Sequence, residues 1–168
     1  MLYWRRWPRS SSWYSAVAIK VLAIGKKHES WVQEGIERYQ KRLAKPYDIE
    51  WQLLPHSSLV DASARQEEAG RILAKLDTSS YVILLDEVGK NISSPQLAEL
   101  CSAQFVHSRS ITIIIGGAYG VTDELRHGVD FVWSLSNLVF PHQLVRLMLT
   151  EQLYRAQEIA AGGKYHHV

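Results

Sequence analysis

Glycine-rich and apolar segments follow three runs of residues that have the composition of buried β-strands. Leu85-Asp86 ends one run, residues 116–120 (GGAYG) follow the next, and residues 135–140 (LSNLVF) follow the last. Three glycines within five residues let the main chain approach a ligand closely or adopt positive φ angles. Since ligands bind beyond the carboxyl ends of the strands in an open parallel sheet, these segments predict a small-molecule site. A tight strand-to-helix turn explains the glycines equally well, and they form neither a dinucleotide fingerprint nor a P-loop.

The elements that would position these segments alternate between strand and helix. Strands are predicted by short apolar or β-branched runs at 18–25, 49–55, 81–86, 111–117 and 131–136. Helices are predicted from Ser30, over 62–76, from Ser94-Pro95, between Thr122 and Gly128, and over 142–161. Ser30, Ser94 and Thr122 are the expected capping residues. The alternation predicts an α/β fold with a parallel-type sheet and helices on both faces.

The composition limits the classes of protein to which the chain can belong. A chain of 168 residues is expected to form one ordinary domain. The single cysteine, Cys101, excludes an intrachain disulfide and a cysteine-cluster metal site, and it favours a reducing compartment, most simply the cytosol. No apolar run approaches the ~20 residues that a bilayer-crossing helix needs.

The net charge of +2 is spread unevenly along the chain. Residues 1–19 contain Arg5, Arg6 and Arg9 and no acid, so the rest of the chain has a net charge of −1. A domain that binds nucleic acid by bulk electrostatics is usually far more basic. Any RNA binding must therefore use a local basic patch or a surface that two subunits share.

The most specific part of the sequence is WSLSNLVFPHQLVRLMLTEQLYRA, which runs from Trp133 to Ala156. It is accompanied by VLAIGK near the start, IIIGGAYG in the middle and KYHH at the end. In this order and at this spacing, the motifs closely resemble the RlmH family of SPOUT methyltransferases. The resemblance extends from about Ala18 to the C-terminus.

The resemblance implies a fold, a cofactor and a substrate. Members of this family have an α/β fold whose C-terminal part forms a deep trefoil knot, and they act as homodimers. They bind S-adenosyl-L-methionine in the knot and methylate N3 of a pseudouridine in large-subunit ribosomal RNA, and the reaction requires no metal ion. Carried over to this chain, the cofactor-binding residues are Leu85, Gly116, Gly117, Leu135, Ser136, Asn137, Leu138, Val139 and Phe140.

The implied reaction needs few groups for acid–base catalysis. The attacking imide nitrogen must lose its proton, and the methyl group must lie in line between nitrogen and sulfur. Positioning is therefore expected to supply most of the rate. The candidates for RNA binding or catalysis are His142, Arg146, Arg155, Tyr165 and His166.

Three of these candidates also have a structural interpretation within the last predicted helix. His142 could cap the start of that helix, and Arg146 could pair with nearby acids. Arg155 could form an i,i+4 pair with Glu151, which contributes about a few tenths of a kcal/mol. The sequence leaves both interpretations open.

The tail residues Tyr165 and His166 could equally be frayed terminal chain. In this family the tail is thought to reach the active site. The family tail commonly continues with arginine or lysine, whereas this chain has His167. Because a histidine is mostly neutral at pH 7, the attraction of this tail to phosphate is expected to be weaker.

Two other functions are compatible with the same motifs. A SPOUT methyltransferase that acts on another RNA, such as a transfer RNA, would have nearly the same cofactor site. A non-catalytic RNA-binding protein of ribosome assembly would have lost cofactor binding. The intact Gly116-Gly117 pair and residues 135–140 argue against that loss.

The last predicted helix suggests a second subunit. Leu149, Leu153, Ala156 and Ala160 recur at helical spacing, and the residues at 144, 145, 147 and 148 are also apolar. A helix that is apolar on nearly all sides must be covered on both faces. We therefore expect a homodimer in which this helix pairs across a two-fold axis.

Residues 1–17 are expected to be an extension outside the domain. They combine tryptophans and arginines with a run of serines, and they show neither helical nor strand periodicity. They lack the apolar stretch of a signal peptide. Their basic, acid-free composition is weakly compatible with organelle import, but a disordered tail or a start codon assigned too early is the simpler interpretation.

A chain that begins at Ala18 is expected to keep the melting temperature and the methylation activity of the full chain. The reason is that residues 1–17 offer no periodic apolar positions to a core. Thermal unfolding and an RNA methylation assay on both chains check this. A large loss of either property would show that the extension packs on the domain or contributes to the site.

Overall fold

The computed structural model describes residues 19–163, which form a five-stranded parallel sheet with helices between and after the strands. The strands are β1 (Ile19–Ile24), β2 (Ile49–Leu54), β3 (Tyr81–Asn91), β4 (Ile111–Ile115) and β5 (Phe131–Ser134). The helices are α1 (Ser30–Gln40), α2 (Asp61–Leu73), α3 (Ser94–Val106), α4 (Asp123–His127) and α5 (His142–Ala160). The strand order is β2-β1-β4-β3-β5. The extension at 1–17 and the tail residues Tyr165 and His166 lie outside the described residues.

The middle strand, β4, is buried at every position. Continuous apolar sequence is expected in a strand that is covered on both faces. Successive side chains point to opposite faces, so Ile113 packs in a core with α3 and α5 while Ile114 packs in a core with α2 and α4. Both the predicted α/β class and the prediction of helices on both faces are confirmed.

The strand β3 is longer than the sequence predicts and crosses close to β5. Its pairing with β5 shifts register between Leu85 and Lys90. A Cβ atom at Gly89 would lie 2.7 Å from main-chain atoms of Val132, Trp133 and Ser134, so only glycine allows this approach. The second half of β3 is thereby held beside the end of β5. The trefoil knot implied by the family resemblance stays a prediction.

Two of the three expected helix caps are displaced by one residue. Thr122 caps α4 as predicted, because its hydroxyl accepts a hydrogen bond from the main-chain N–H of Leu125. The N-cap of α3 is Ser93 rather than Ser94, and the Ser93 and Gln96 side chains form a reciprocal capping box. The N-cap of α1 is Glu29 rather than Ser30, with no side-chain capping bond.

The apolar stripe on α5 is covered by the chain itself. Leu149, Leu153 and Ala156 are fully buried in the same core as β1 and β4. α5 packs against α1 and α3. The chain therefore covers this face of α5 except at Ala160, which is exposed, and the homodimer stays a prediction. None of the helices within residues 19–163 has the length and apolarity to cross a membrane.

Candidate functional site

A cavity of about 790 Å³ lies at the carboxyl ends of β3, β4 and β5. Its walls come from β3, β4, β5, α2, α4 and α5. The lining residues are 85–88 of β3, 115–123 from the end of β4, 133–136 and 138–140 from the end of β5, Ala62, Arg65 and Gln66 of α2, Arg126 of α4, and His142 and Val145 of α5. This volume lies within the ~300–1,000 Å³ that small-ligand sites usually have. The location is the edge of the sheet at which the sequence predicts a site.

The cavity is lined by nearly all the residues that the family resemblance assigns to a cofactor. Of the nine residues, only Asn137 lies outside the lining, and it is exposed. The residues that the structure brings together around the cavity are Leu85, Gly116, Gly117, Leu135, Ser136, Leu138, Val139 and Phe140.

The glycine turn, residues 116–120, is packed tightly against neighbouring side chains. The N–H of Gly120 donates to the carbonyl of Gly117 over 3.0 Å, and Gly120 has a φ of +77°. A Cβ atom at Gly116 would lie 2.7 Å from Cγ1 of Val121, and one at Gly117 would overlap the carboxylate of Glu68. The first two glycines are therefore required by protein packing at the back of the turn, which the sequence did not reveal.

The segment 135–140 is shaped by short side-chain hydrogen bonds. The hydroxyl of Ser134 donates to the carbonyl of Ser136 over 2.7 Å, and the hydroxyl of Ser136 accepts from the N–H of Leu138. The Asn91 amide donates to the carbonyl of Ser134, which ties the segment to the end of β3. Leu138 and Val139 are 68% and 77% exposed at the rim of the cavity. The segment thus presents apolar side chains on a main chain of defined shape.

An ion-pair network that the sequence did not predict lies along one side of the cavity. Arg126 of α4 pairs with Asp86 over 3.0 Å and also with Asp123. All three residues line the cavity, as does Arg65 of α2. Only the spacing of Asp123 and Arg126 could have been seen in the sequence, because the pairing with Asp86 depends on where α4 docks.

His142 is the first residue of α5 and lines the cavity. The N-cap is Pro141, so His142 does not cap the helix. Desolvation lowers the pKa of His142, and the positive charge of Arg146 and the neighbouring His56 lower it further, while Glu68 opposes them. The imidazole is therefore unprotonated near pH 7 and can accept a proton from a group in the cavity.

Arg146 lies below the cavity wall rather than in the lining. It is 1% exposed, and its guanidinium donates to the carbonyls of Ile24 over 2.7 Å and Lys27 over 2.9 Å. It also lies 3.3 Å from Nδ1 of His28, and burial lowers its pKa. Arg146 thus joins α5 to the end of β1, and its partners are main-chain oxygens rather than the acids that the sequence suggested.

Arg155, the remaining candidate within the described residues, is not brought into the cavity. Arg155 forms the expected i,i+4 pair with Glu151 over 2.6 Å and is absent from the lining. Tyr165 and His166 lie outside the described residues. Cys101 is buried in the core, and desolvation raises its pKa to about 12, so it is not a nucleophile. Residues 19–163 contain no group of three or more His, Cys, Asp or Glu side chains that could hold a metal ion.

Comparison with known proteins identifies methyltransferases. A family model described as "Predicted SPOUT methyltransferase" matches residues 17–166. The protein named "Ribosomal RNA large subunit methyltransferase H" of Desulfitobacterium hafniense is 38% identical over 156 residues, covering 88% of this chain and 98% of the relative. The protein of the same name from Carboxydothermus hydrogenoformans is 40% identical over 158 residues, covering 88% and 98%. The one from Prochlorococcus marinus is 40% identical over 148 residues, covering 88% and 94%.

The free energy of unfolding is expected to fall as the pH is lowered from about 7.5 to about 5.5. The pKa values of His28 and His142 are both held below 6.5, His28 by desolvation and by Arg146. Below pH 6.5 the unfolded chain therefore binds protons that the folded chain does not. The stability that the two unprotonated histidines contribute is present above that pH and is lost as the pH falls toward their folded-state pKa values.

Denaturant unfolding at both pH values measures this loss. The double variant His28→Gln/His142→Gln should show a smaller difference between the two pH values than the wild type. His107→Gln, which removes an exposed histidine at the end of α3, is the matched control. An identical pH dependence in the double variant would contradict the assigned role of these two residues.

Proposed function

The chain belongs to the SPOUT methyltransferases and, within them, to the family of the ribosomal RNA large subunit methyltransferase H proteins, and we propose that it methylates N3 of a pseudouridine in large-subunit ribosomal RNA with S-adenosyl-L-methionine as the donor. The observation that carries this proposal is the cavity at the ends of β3, β4 and β5. Its lining contains eight of the nine residues that the family resemblance assigns to the cofactor.

The walls of the cavity fit this donor. An adenosine group is flat and apolar with polar edges, so it needs apolar walls with main-chain N–H and C=O groups at its rim. Leu85, Leu135 and Phe140 supply the apolar surface, and the main chain of residues 135–140 and of the glycine turn supplies the polar groups. When bound, the donor supplies a methyl group that its positively charged sulfur already activates.

Positive charge in two parts of the chain supports an RNA substrate. Arg65 lies in the lining, and Lys26 and Lys27 are exposed immediately after β1. Exposed Tyr119 offers an aromatic face of the kind on which unpaired bases stack. The lining also contains Asp86, Glu87 and Asp123, and Arg126 is paired with two of these acids, so the positive charge available to RNA lies in Arg65 and in the lysines after β1. A ribosomal RNA substrate favours the cytosol as the compartment of the enzyme.

The five residues predicted to bind RNA or to take part in catalysis are proposed to have different roles in the methyl transfer. His142, in the lining, is the group that can take a proton from the target nitrogen. Arg146 supports the wall from below, and Arg155 is held on α5 by Glu151. Tyr165 and His166 remain proposed RNA contacts from the tail.

Mass spectrometry of ribosomal RNA tests the proposed function. RNA from cells that lack this protein should lose one methyl group on a pseudouridine of the large-subunit RNA, and the wild-type gene should restore it. Loss of a methyl group from a transfer RNA instead would identify a different RNA substrate. Unchanged methylation of all RNA, together with failure of the purified protein to bind the donor, would favour the non-catalytic assembly protein.

Gly116→Val is expected to weaken the binding of S-adenosyl-L-methionine. A Cβ atom at Gly116 already meets Cγ1 of Val121 at 2.7 Å, so the valine must displace the glycine turn or occupy the cavity. Overpacking of this kind costs about 1–3 kcal/mol, which corresponds to an affinity that is about 5- to 150-fold lower when the cost falls on the bound state. Isothermal titration calorimetry measures the change.

The matched control is Gly70→Val, since no heavy atom lies within 4 Å of a Cβ at Gly70 and the residue is exposed on α2. This control should bind the donor as the wild type does. A folded Gly116→Val protein with wild-type affinity would remove the glycine turn from the proposed site.

We also propose that the enzyme is a homodimer, as the family resemblance implies. Apolar residues at and before the start of α5 are available to a partner. They are exposed Leu138 and Val139 and half-buried Leu144 and Met148, of which the last two are four residues apart on α5. Pairing of this surface across a two-fold axis is the simplest closed arrangement. Light scattering at micromolar concentration should give twice the mass of one chain. A monomer that still methylates RNA would contradict the dimer.

A further inference from the structure

Two charged side chains are almost completely buried within residues 19–163. Glu68 of α2 is 4% exposed and Arg146 of α5 is 1% exposed. Neither forms an ion pair with another described residue. A buried charge without an ion-pair partner is costly, so its presence beside a cavity indicates a use. Within the part of the chain that the structure describes, both terminal nitrogens of Arg146 donate to carbonyls and only its Nε has no partner, whereas Glu68 has one carboxylate oxygen without a partner and no cation beside it.

Only one oxygen of the Glu68 carboxylate has a structural explanation. Oε1 accepts a hydrogen bond from the main-chain N–H of Ser57 over 2.9 Å, which holds the loop between β2 and α2. Oε2 is inaccessible to solvent and accepts no hydrogen bond from the described residues. The carboxylate occupies the space beside the Cα atom of Gly117, and Gly117 lines the cavity. A buried carboxylate therefore lies directly against the main chain that lines the cavity.

His142 lines the same cavity as Gly117, and the charge of Glu68 acts on its imidazole. The charged or titratable groups that act on His142 are Arg146 one turn along α5, His56 after β2, and Glu68 from α2. Desolvation, Arg146 and His56 all disfavour the imidazolium, and so does the N-terminal position on α5, where the helix dipole is positive. Glu68 is the one member of this set that favours it.

We propose that Glu68 is a positioning residue for His142, and that its buried carboxylate stabilises the imidazolium formed when His142 removes the proton from the target nitrogen. This inference rests on the proposed methylation of an imide nitrogen. Because Oε2 is inaccessible, Glu68 touches neither RNA nor donor and acts through His142. Buried carboxylates also stabilise catalytic histidines in other enzymes, but there a hydrogen bond joins the two side chains. No hydrogen bond joins Glu68 to His142, so Glu68 acts by its charge alone.

The step balances without a further reactant. The N3–H bond breaks, its proton passes to the unprotonated ring nitrogen of His142, and the electron pair stays on N3. That pair forms the bond to the methyl carbon as the bond between this carbon and sulfur breaks, with its electrons going to sulfur. The imidazolium then returns its proton to solvent when the products leave.

Glu68→Gln tests the charge without removing the packing. The amide keeps an oxygen that can accept from the N–H of Ser57, and it fills the same space beside Gly117. Glu67→Gln is the matched control, because it makes the same change at the adjacent position of α2, where Glu67 pairs with Arg71 on the surface.

The first measurement follows the titration of the His142 imidazole by NMR in the protein without RNA. Glu68→Gln should lower the pKa of His142 below its wild-type value, and Glu67→Gln should leave it unchanged. In the wild type, the carboxyl carbon of Glu68 should show an inflection at the pH where His142 titrates, a readout that needs no variant. An unshifted His142 in a folded Glu68→Gln protein, or the absence of that inflection, would overturn the inference.

The second measurement is the single-turnover rate of methylation as a function of pH. His142→Gln should lower the rate by about 10²-fold or more, as expected for loss of a general base. Glu68→Gln should lower the highest rate in the pH profile by about tenfold, because His142 becomes a weaker base. It should also move the pH at which the rate begins to fall on the acidic side to a lower value. A lower rate without this change in pH would show that Glu68 has only a structural role, and an undiminished rate in His142→Gln would overturn the assignment of the base.

The two measurements separate this inference from the proposed function. The NMR titration needs neither RNA nor donor, so it reports the coupling of Glu68 and His142 directly. A coupled pair in a protein that methylates no RNA would contradict the proposed function. An uncoupled pair in an active methyltransferase would contradict only the role of Glu68.

Discussion

The buried guanidinium of Arg146 is the interaction on which the geometry of the site depends. It donates to the carbonyls of Ile24 and Lys27, and so it fixes α5 to the end of the strand next to β4. Because α5 begins directly after residues 135–140, this anchor also sets where that segment lies relative to the glycine turn. Neutral carbonyls accept hydrogen bonds from both terminal nitrogens of Arg146 without cancelling its charge, and the positive potential therefore reaches His142, one turn earlier.

The wall opposite to residues 135–140 is fixed by packing from behind. Gly116 and Gly117 lie against Val121 and Glu68, and neither has room for a side chain. α2 therefore contributes twice to the cavity, since its first turn provides part of the lining and its third turn supports the glycine turn. A movement of α2 would change the shape of the cavity and the charge behind it together.

The sequence predicts the strands and helices well where composition and spacing indicate the same element. It does not predict features that depend on contacts between distant parts of the chain. The run Ile111–Ile115 has isoleucine at four of its five positions, and the central strand that it predicts is confirmed. The cap at Ser93 was readable in the spacing of Ser93 and Gln96, but the adjacent Ser94-Pro95 pair pointed one residue further. The location of the cavity followed from the glycines and the apolar segment. The burial of Glu68 did not, because a glutamate on an amphipathic helix is ordinarily solvated.

The charges around the cavity are consistent with a transfer that moves one positive charge without creating another. Before methyl transfer the site would contain a positive charge on the donor, and after it a positive charge on His142, while the sulfur becomes neutral. Arg146 and the start of α5 are unfavourable to both states, so a fixed negative charge stabilises the site throughout. Glu68 can supply it from behind Gly117 without entering the cavity or competing for the proton. A carboxylate in the lining would instead be free to bind the proton itself, and the buried position avoids that outcome.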